Sequence, residues 1–153
     1  MNGTLNFASC HFIPSTCMHH QCKRCWSFVG RRGGEQILSL RRHACVYHSV
    51  VQHELLHALG FNHEQCRSDC DSHIHIYWQN IYRGFAYAFH KINTNNLGTP
   101  YDYGSVHYGR YAFSANRQPT IVPIPNPNVG IGRATQMSAT DILRVKRLYG
   151  CSM

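Results

Sequence analysis

The feature that most constrains this chain is the spacing of three histidines, His53, His57 and His63, around one glutamate and one glycine. His53-Glu54-Leu55-Leu56-His57 falls in a stretch, about 46–59, where Val46, Val50, Leu55 and Leu59 recur at helical intervals. A helix is predicted there, with those four residues on one apolar stripe. Residues four apart share a helical face one turn apart, so the imidazoles of His53 and His57 can reach a common point. His63 joins them only if the chain leaves the helix sharply. Gly60 stands where that turn must come, because a left-handed residue ends a helix cheaply when it lacks a Cβ. The spacing therefore predicts three nitrogen ligands converging on one ion just past a helix end.

Three neutral nitrogens leave a fourth position open on Zn²⁺, which distinguishes a catalytic site from a closed structural one. One zinc ion per chain is the expected cofactor, with His53, His57 and His63 as its ligands. Glu54, next to the first ligand, is placed beside the ion and not on it. It is the predicted general base, taking a proton from water acidified by zinc and handing it later to a leaving amine.

At 153 residues the chain suits one domain, and 43% hydrophobic against 14% charged residues marks it as globular. No run approaches the roughly 18 apolar residues of a membrane span, so no membrane partner is expected. The net charge of +8 is carried by scattered pairs such as Arg31-Arg32, Arg41-Arg42 and Lys146-Arg147. Without a basic block interleaved with aromatics, nucleic acid is not an expected partner either. Eight cysteines point to disulfides and a secreted, extracellular setting. The opening Met1-Asn2-Gly3-Thr4-Leu5-Asn6-Phe7 nevertheless reads as no signal peptide, which suggests a chain incomplete at its front end.

Elsewhere, Glu35 to Leu40 alternates as a strand, and a strand or short helix is predicted near Ile74 to Ile81. A helical reading covers Gly84 to Ile92, and the proline-rich stretch Pro119 to Gly132 reads as extended loop. Ser138 and Asp141 form a capping-box pattern ahead of an amphipathic helix carrying Ile142, Leu143, Val145 and Leu148.

His53 to His63 completes H-E-x-x-H-x-x-G-x-x-H, the metzincin pattern. From Cys25 onward the chain resembles the astacin family of zinc endopeptidases, and within it the fish hatching enzymes. The resemblance is carried by Val51 to Gln65, by Ile76-Tyr77-Trp78-Gln79-Asn80-Ile81, by Thr94 to Tyr103, by Pro119 to Gly132 and by Ser138 to Cys151. It implies an α+β, zincin-like catalytic domain spanning 1–153. Residues 1–60 would hold an incomplete upper-lobe sheet and the active-site helix, and 61–153 an irregular lower lobe ending in a helix. It also implies that Tyr108 stabilises the oxyanion, that Cys25 pairs with Cys45, and that Cys10 pairs with Cys151. The implied activity is zinc-dependent hydrolysis of protein or peptide substrates by a monomer, with egg-envelope protein as the target class if the likeness extends to role.

Three departures from the family pattern stand out. The family's domain begins several dozen residues before Cys10, and the missing segment includes the buried N-terminus that partners the glutamate after the third histidine. Glu64 is therefore expected to lack its partner. The turn that should read Ser-x-Met-His-Tyr is Ser105-Val106-His107-Tyr108, leaving Val106 to supply the apolar floor under the metal. Cys70 stands where arginine is usual. Cys17, Cys22, Cys66 and Cys70 have no family partner, and Cys17 to Cys25 with His19 and His20 also fits a small structural zinc knuckle. A second functional reading follows from these departures: a zinc-binding remnant without a competent cleft.

Overall fold

The computed structural model describes residues 14–17, 24–107 and 109–151. Three short strands, β1 (Pro14–Cys17), β2 (Trp26–Ser27) and β3 (Gln36–Ser39), form one sheet in the order β1-β3-β2. β1 runs parallel to β3 and β2 antiparallel to it, so the strand expected at 35–40 is the central one. Leu38 and Leu40 bury against Cys45, and Val50 and Val51 of the following helix pack on the same cluster. A disulfide joins Cys25 to Cys45 across this junction, with Cα atoms 6.0 Å apart.

Helix α1 (His48–Ala58) carries the histidine motif. Its buried side differs from the predicted stripe, because Val46 and Leu55 are exposed while Glu54, Leu56 and His57 are buried. Two clusters share the helix. Val50 and Val51 face the sheet, whereas Leu56 and Leu59 face a second core with Val106 and Val145. No single 3.6-residue stripe can serve both, and the histidines occupy the ground between. The helix stops as Gly60 turns to φ 99°, with Gly60 N–H donating to His57 O (2.8 Å) and Phe61 N–H to Leu56 O (3.0 Å). That pairing is a Schellman stop, and Leu56 and Phe61 supply its apolar contact.

Beyond it the chain is largely irregular. β4 (Ile74–Ile76) pairs antiparallel with β5 (Ile121–Pro123), so part of the stretch read as loop is a strand. These strands cover a core of Ile74, Ile81, Phe89, Tyr101, Ile121 and Ile131. Only Ala86–Phe89 is helical in the predicted 84–92 segment, and as a 3₁₀ turn; Ile92 N–H instead donates to Cys66 O (2.8 Å). Trp78 and Tyr87 are exposed, while Phe89 is fully buried. Cys66 and Cys70 are buried free thiols.

Helix α2 (Ala139–Tyr149) has the expected cap: Ser138 accepts from Asp141 N–H, and the Asp141 carboxylate accepts from Ser138 N–H. The Cys151 thiol that follows it is free, and its expected partner Cys10 lies outside the described residues. So do Cys22, His19 and His20 of the alternative knuckle. Val145 of α2 meets Leu56 of α1 and Val106 in the core that floors the histidine motif.

Candidate metal centre

Helix α1 presents His53 and His57 on one face, and the Gly60 turn returns His63 to them. The three Nε2 atoms form a triangle with edges of 3.1, 3.1 and 3.2 Å. Among the described residues no other His, Cys, Asp or Glu joins this group.

Hydrogen bonds on the far side of the rings decide which nitrogen is free. His53 Nδ1–H donates to the carbonyl of Val106 (3.0 Å), and His57 Nδ1–H to that of Phe61 (2.8 Å). Each bond fixes the tautomer with its lone pair on Nε2, pointing into the triangle. Burial, and then the neighbouring histidines, push His57 down to about 4 and His63 down to about 3; burial also lowers His53. Neutral at ordinary pH, His53 and His57 aim lone pairs into the space that His63 Nε2 also faces, an arrangement that a cation among the three nitrogens satisfies. Triangle edges of this length suit an ion held at about 2.0–2.1 Å from each nitrogen. The residues present fit Zn²⁺.

Glu54 is buried on the adjoining part of α1, and its Oε2 finds no hydrogen-bond partner among the described residues. Burial pushes this carboxyl up to about 7. It lines a cavity of about 230 Å³ together with His53, Ser49, Val50, Val106, Gly132 and Ala134. A buried carboxyl oxygen without a protein partner, beside an imidazole cluster and open to a cavity, is suited to a water or a substrate.

Glu64, expected to go without the family's buried N-terminal partner, has other partners within the chain. Arg144 holds it in a two-point contact (2.7 and 2.9 Å), Arg67 donates to it at 3.2 Å, and Asp102 N–H at 2.7 Å. Arg67 also pairs with Asp69, and Arg144 donates to Thr99 Oγ1 and Pro100 O. A buried carboxylate thus has its charge and its lone pairs met from within the chain.

The shortened turn is anchored to α2. Ser105 Oγ–H donates to Asp141 Oδ1 (2.8 Å), Val106 N–H to Asp141 Oδ2 (3.2 Å), and His107 N–H to Ser105 Oγ (3.1 Å). Sequence reasoning assigned His107 no part, yet its ring lies 4.3 Å from those of both His53 and His57, centroid to centroid. The signal that could have found it is the missing methionine, which leaves His107 as the residue after Val106 in the turn. Tyr108 lies outside the described residues.

An α1 site of this form, with its glycine turn and supporting carbonyls, defines a zinc-protease fold of the metzincin kind. Residues 4–150 match the model of the Astacin peptidase family, and the chain belongs to that family. It is 48% identical to the low choriolytic enzyme of Oryzias latipes, over 97% of this chain and 60% of the relative. It is 57% identical to high choriolytic enzyme 1 of the same fish, over 83% of this chain and 48% of the relative. The solved structure of that second protein, a hatching enzyme zinc-protease, matches with a TM-score of 0.84 at 52% identity, covering 90% of this chain and 68% of the other. The chain thus spans about half to three-fifths of the length of these curated relatives.

Proposed function

We propose that this chain is a zinc endopeptidase that cleaves peptide bonds in proteins, with egg-envelope protein as its substrate class. The observation that carries the reading is the convergence of His53, His57 and His63 beside the unpartnered carboxyl of Glu54. The substrate class rests on the likeness to choriolytic enzymes. Bound by the three histidines, zinc supplies a Lewis acid and acidifies water at the site.

The chain's own residues do the rest. The carbonyls of Val106 and Phe61 hold His53 and His57 in the tautomer that leaves Nε2 free. Glu54 Oε2 accepts the proton of the attacking water and returns it to the leaving amine. Buried and without a protein partner, its carboxyl oxygen is free to take that proton and give it back. Tyr108, next along from His107, is assigned to the oxyanion. The cleft lies between a lobe of residues 1–60 and one of 61–153, and the protein works as a secreted monomer in an oxidising setting that suits the Cys25–Cys45 bridge.

The test is Glu54→Gln. Glutamine keeps the shape and cannot take the proton, so hydrolysis of casein should fall about 10²–10⁴-fold while zinc stays bound. Equal low turnover in wild type and variant, with zinc at full occupancy, would favour the remnant reading.

A further inference from the structure

We infer that His107 is a positioning residue of the metal centre: an imidazole platform that sets the three ligand rings in place of the methionine missing from this turn. The inference rests on the reading that His53, His57 and His63 bind zinc.

The ring is 3% exposed and lies against all three ligand rings, at centroid distances of 4.3 Å to His53, 4.3 Å to His57 and 5.6 Å to His63. It faces them at angles from 31° to 70°, so it contacts the cluster as a floor and not as one more member of it. Its nitrogens are turned away from the triangle. Nε2 lies 2.7 Å from the carbonyl oxygen of His53, and Nδ1 lies 3.2 Å from that of Asn62. One contact reaches the backbone of the first ligand and the other the residue before the third. His107 therefore spans the helix and the returning chain, the two segments whose relative position sets the size of the triangle.

The platform is itself fixed. His107 N–H is held by Ser105 Oγ, its carbonyl accepts from Glu64 N–H (3.1 Å), and the preceding carbonyl, that of Val106, orients His53. Three consecutive residues of the turn thus bear on the centre from below. Val106, the residue expected to form the floor, packs with Leu56 and Val145 in the core below the motif and borders the Glu54 cavity, while the His107 ring lies directly against the ligand rings. A stiff, buried ring that donates its one N–H to a backbone carbonyl and packs on all three ligand rings leaves the ligands less freedom than a flexible thioether would.

The experiment is zinc affinity by chelator competition, with the visible absorption of the cobalt(II)-substituted protein as a direct report on ligand geometry. His107→Ala should bind zinc about 10–100-fold more weakly, the usual loss when a group supporting metal ligands is removed, and should shift the cobalt bands at saturating metal. His107→Phe keeps the ring and loses the N–H to the backbone carbonyl, so it should weaken binding several-fold and shift the bands less. If His107→Ala fails to fold, His107→Phe decides. Wild-type affinity together with a wild-type cobalt spectrum in the folded variant overturns the platform. A wild-type protein that binds no zinc overturns the ligand reading itself, a different result from equal affinities.

Discussion

Helices α1 and α2 are each 11 residues long and each bury two ionisable residues, yet they treat them in opposite ways. α2 buries Asp141 and Arg144, and both are met: Asp141 by Ser105, Val106 and Ser138, Arg144 by Glu64, Thr99 and Pro100. α1 buries Glu54 and His57, leaving one carboxyl oxygen without a partner among the described residues and an imidazole lone pair facing two others. Their starts differ in the same sense. α2 opens on a capping box, whereas α1 opens at Tyr47 with no side-chain cap and no acidic residue in its first turn. The helix that carries the histidine triangle keeps unmet valence and is held by its surroundings. α2 caps itself, and its buried charges are fully met by residues of other segments.

The largest expected effect breaks the well-paired side. Arg144→Met removes the two-point partner of Glu64 and leaves the buried carboxylate to Arg67 and Asp102 N–H alone, which should lower stability by about 3 kcal/mol, the low end for breaking a buried pair, in urea unfolding. Acid should next expose the unmet valence of α1 in chelator-treated protein. His57 and His63 stay neutral in the fold down to about 4 and about 3, while the unfolded chain takes up protons below about 6.5. Between those limits the unfolded state binds more protons, so stability falls as pH drops through the window. Glu54 acts in the opposite sense, since it is raised to about 7 and favours the fold toward acid. One carboxyl opposes several lowered histidines, so a metal-free midpoint that rises on going from pH 7 to pH 4 would contradict the assignment. Ser138→Ala should cost about 1 kcal/mol, the value of an N-cap, in the same assay. The smallest effect runs the other way. Tyr47 is 64% exposed with an extended backbone at the cap position, so Tyr47→Ser should stabilise the protein by about 0.5–1 kcal/mol. A loss there would mean that α1 already draws on a cap elsewhere.

What could be read from the sequence follows the same division. The capping box of Ser138 and Asp141, the Gly60 stop and the i, i+4 histidines are local, and each is a rule about neighbours along the chain. Residues 121–123 were hidden among prolines because their strand character depends on Ile74–Ile76, far away in sequence. The stripe on α1 misplaced Val46 and Leu55 because two separate cores, not one, receive that helix. The partners of Glu64 were missed for a related reason. A buried carboxylate draws whatever cation the fold can bring, and Arg144 is 80 residues away. His107 was passed over because its place depends on a shortened turn whose geometry no local pattern describes.

The anchoring of the turn at 105–107 to Asp141 has a consequence for synthesis. His53 waits 53 residues for the carbonyl that orients it, and that carbonyl's turn is tied to an aspartate 35 residues further on. At about 5–20 residues per second, the ribosome needs roughly 2–7 s between Val106 and Asp141. Throughout that interval all three ligands already exist as polypeptide while the strut beneath them does not. The nascent chain therefore lacks the anchored turn that orients its first histidine until the α2 segment emerges, so the order of translation delays completion of the histidine centre.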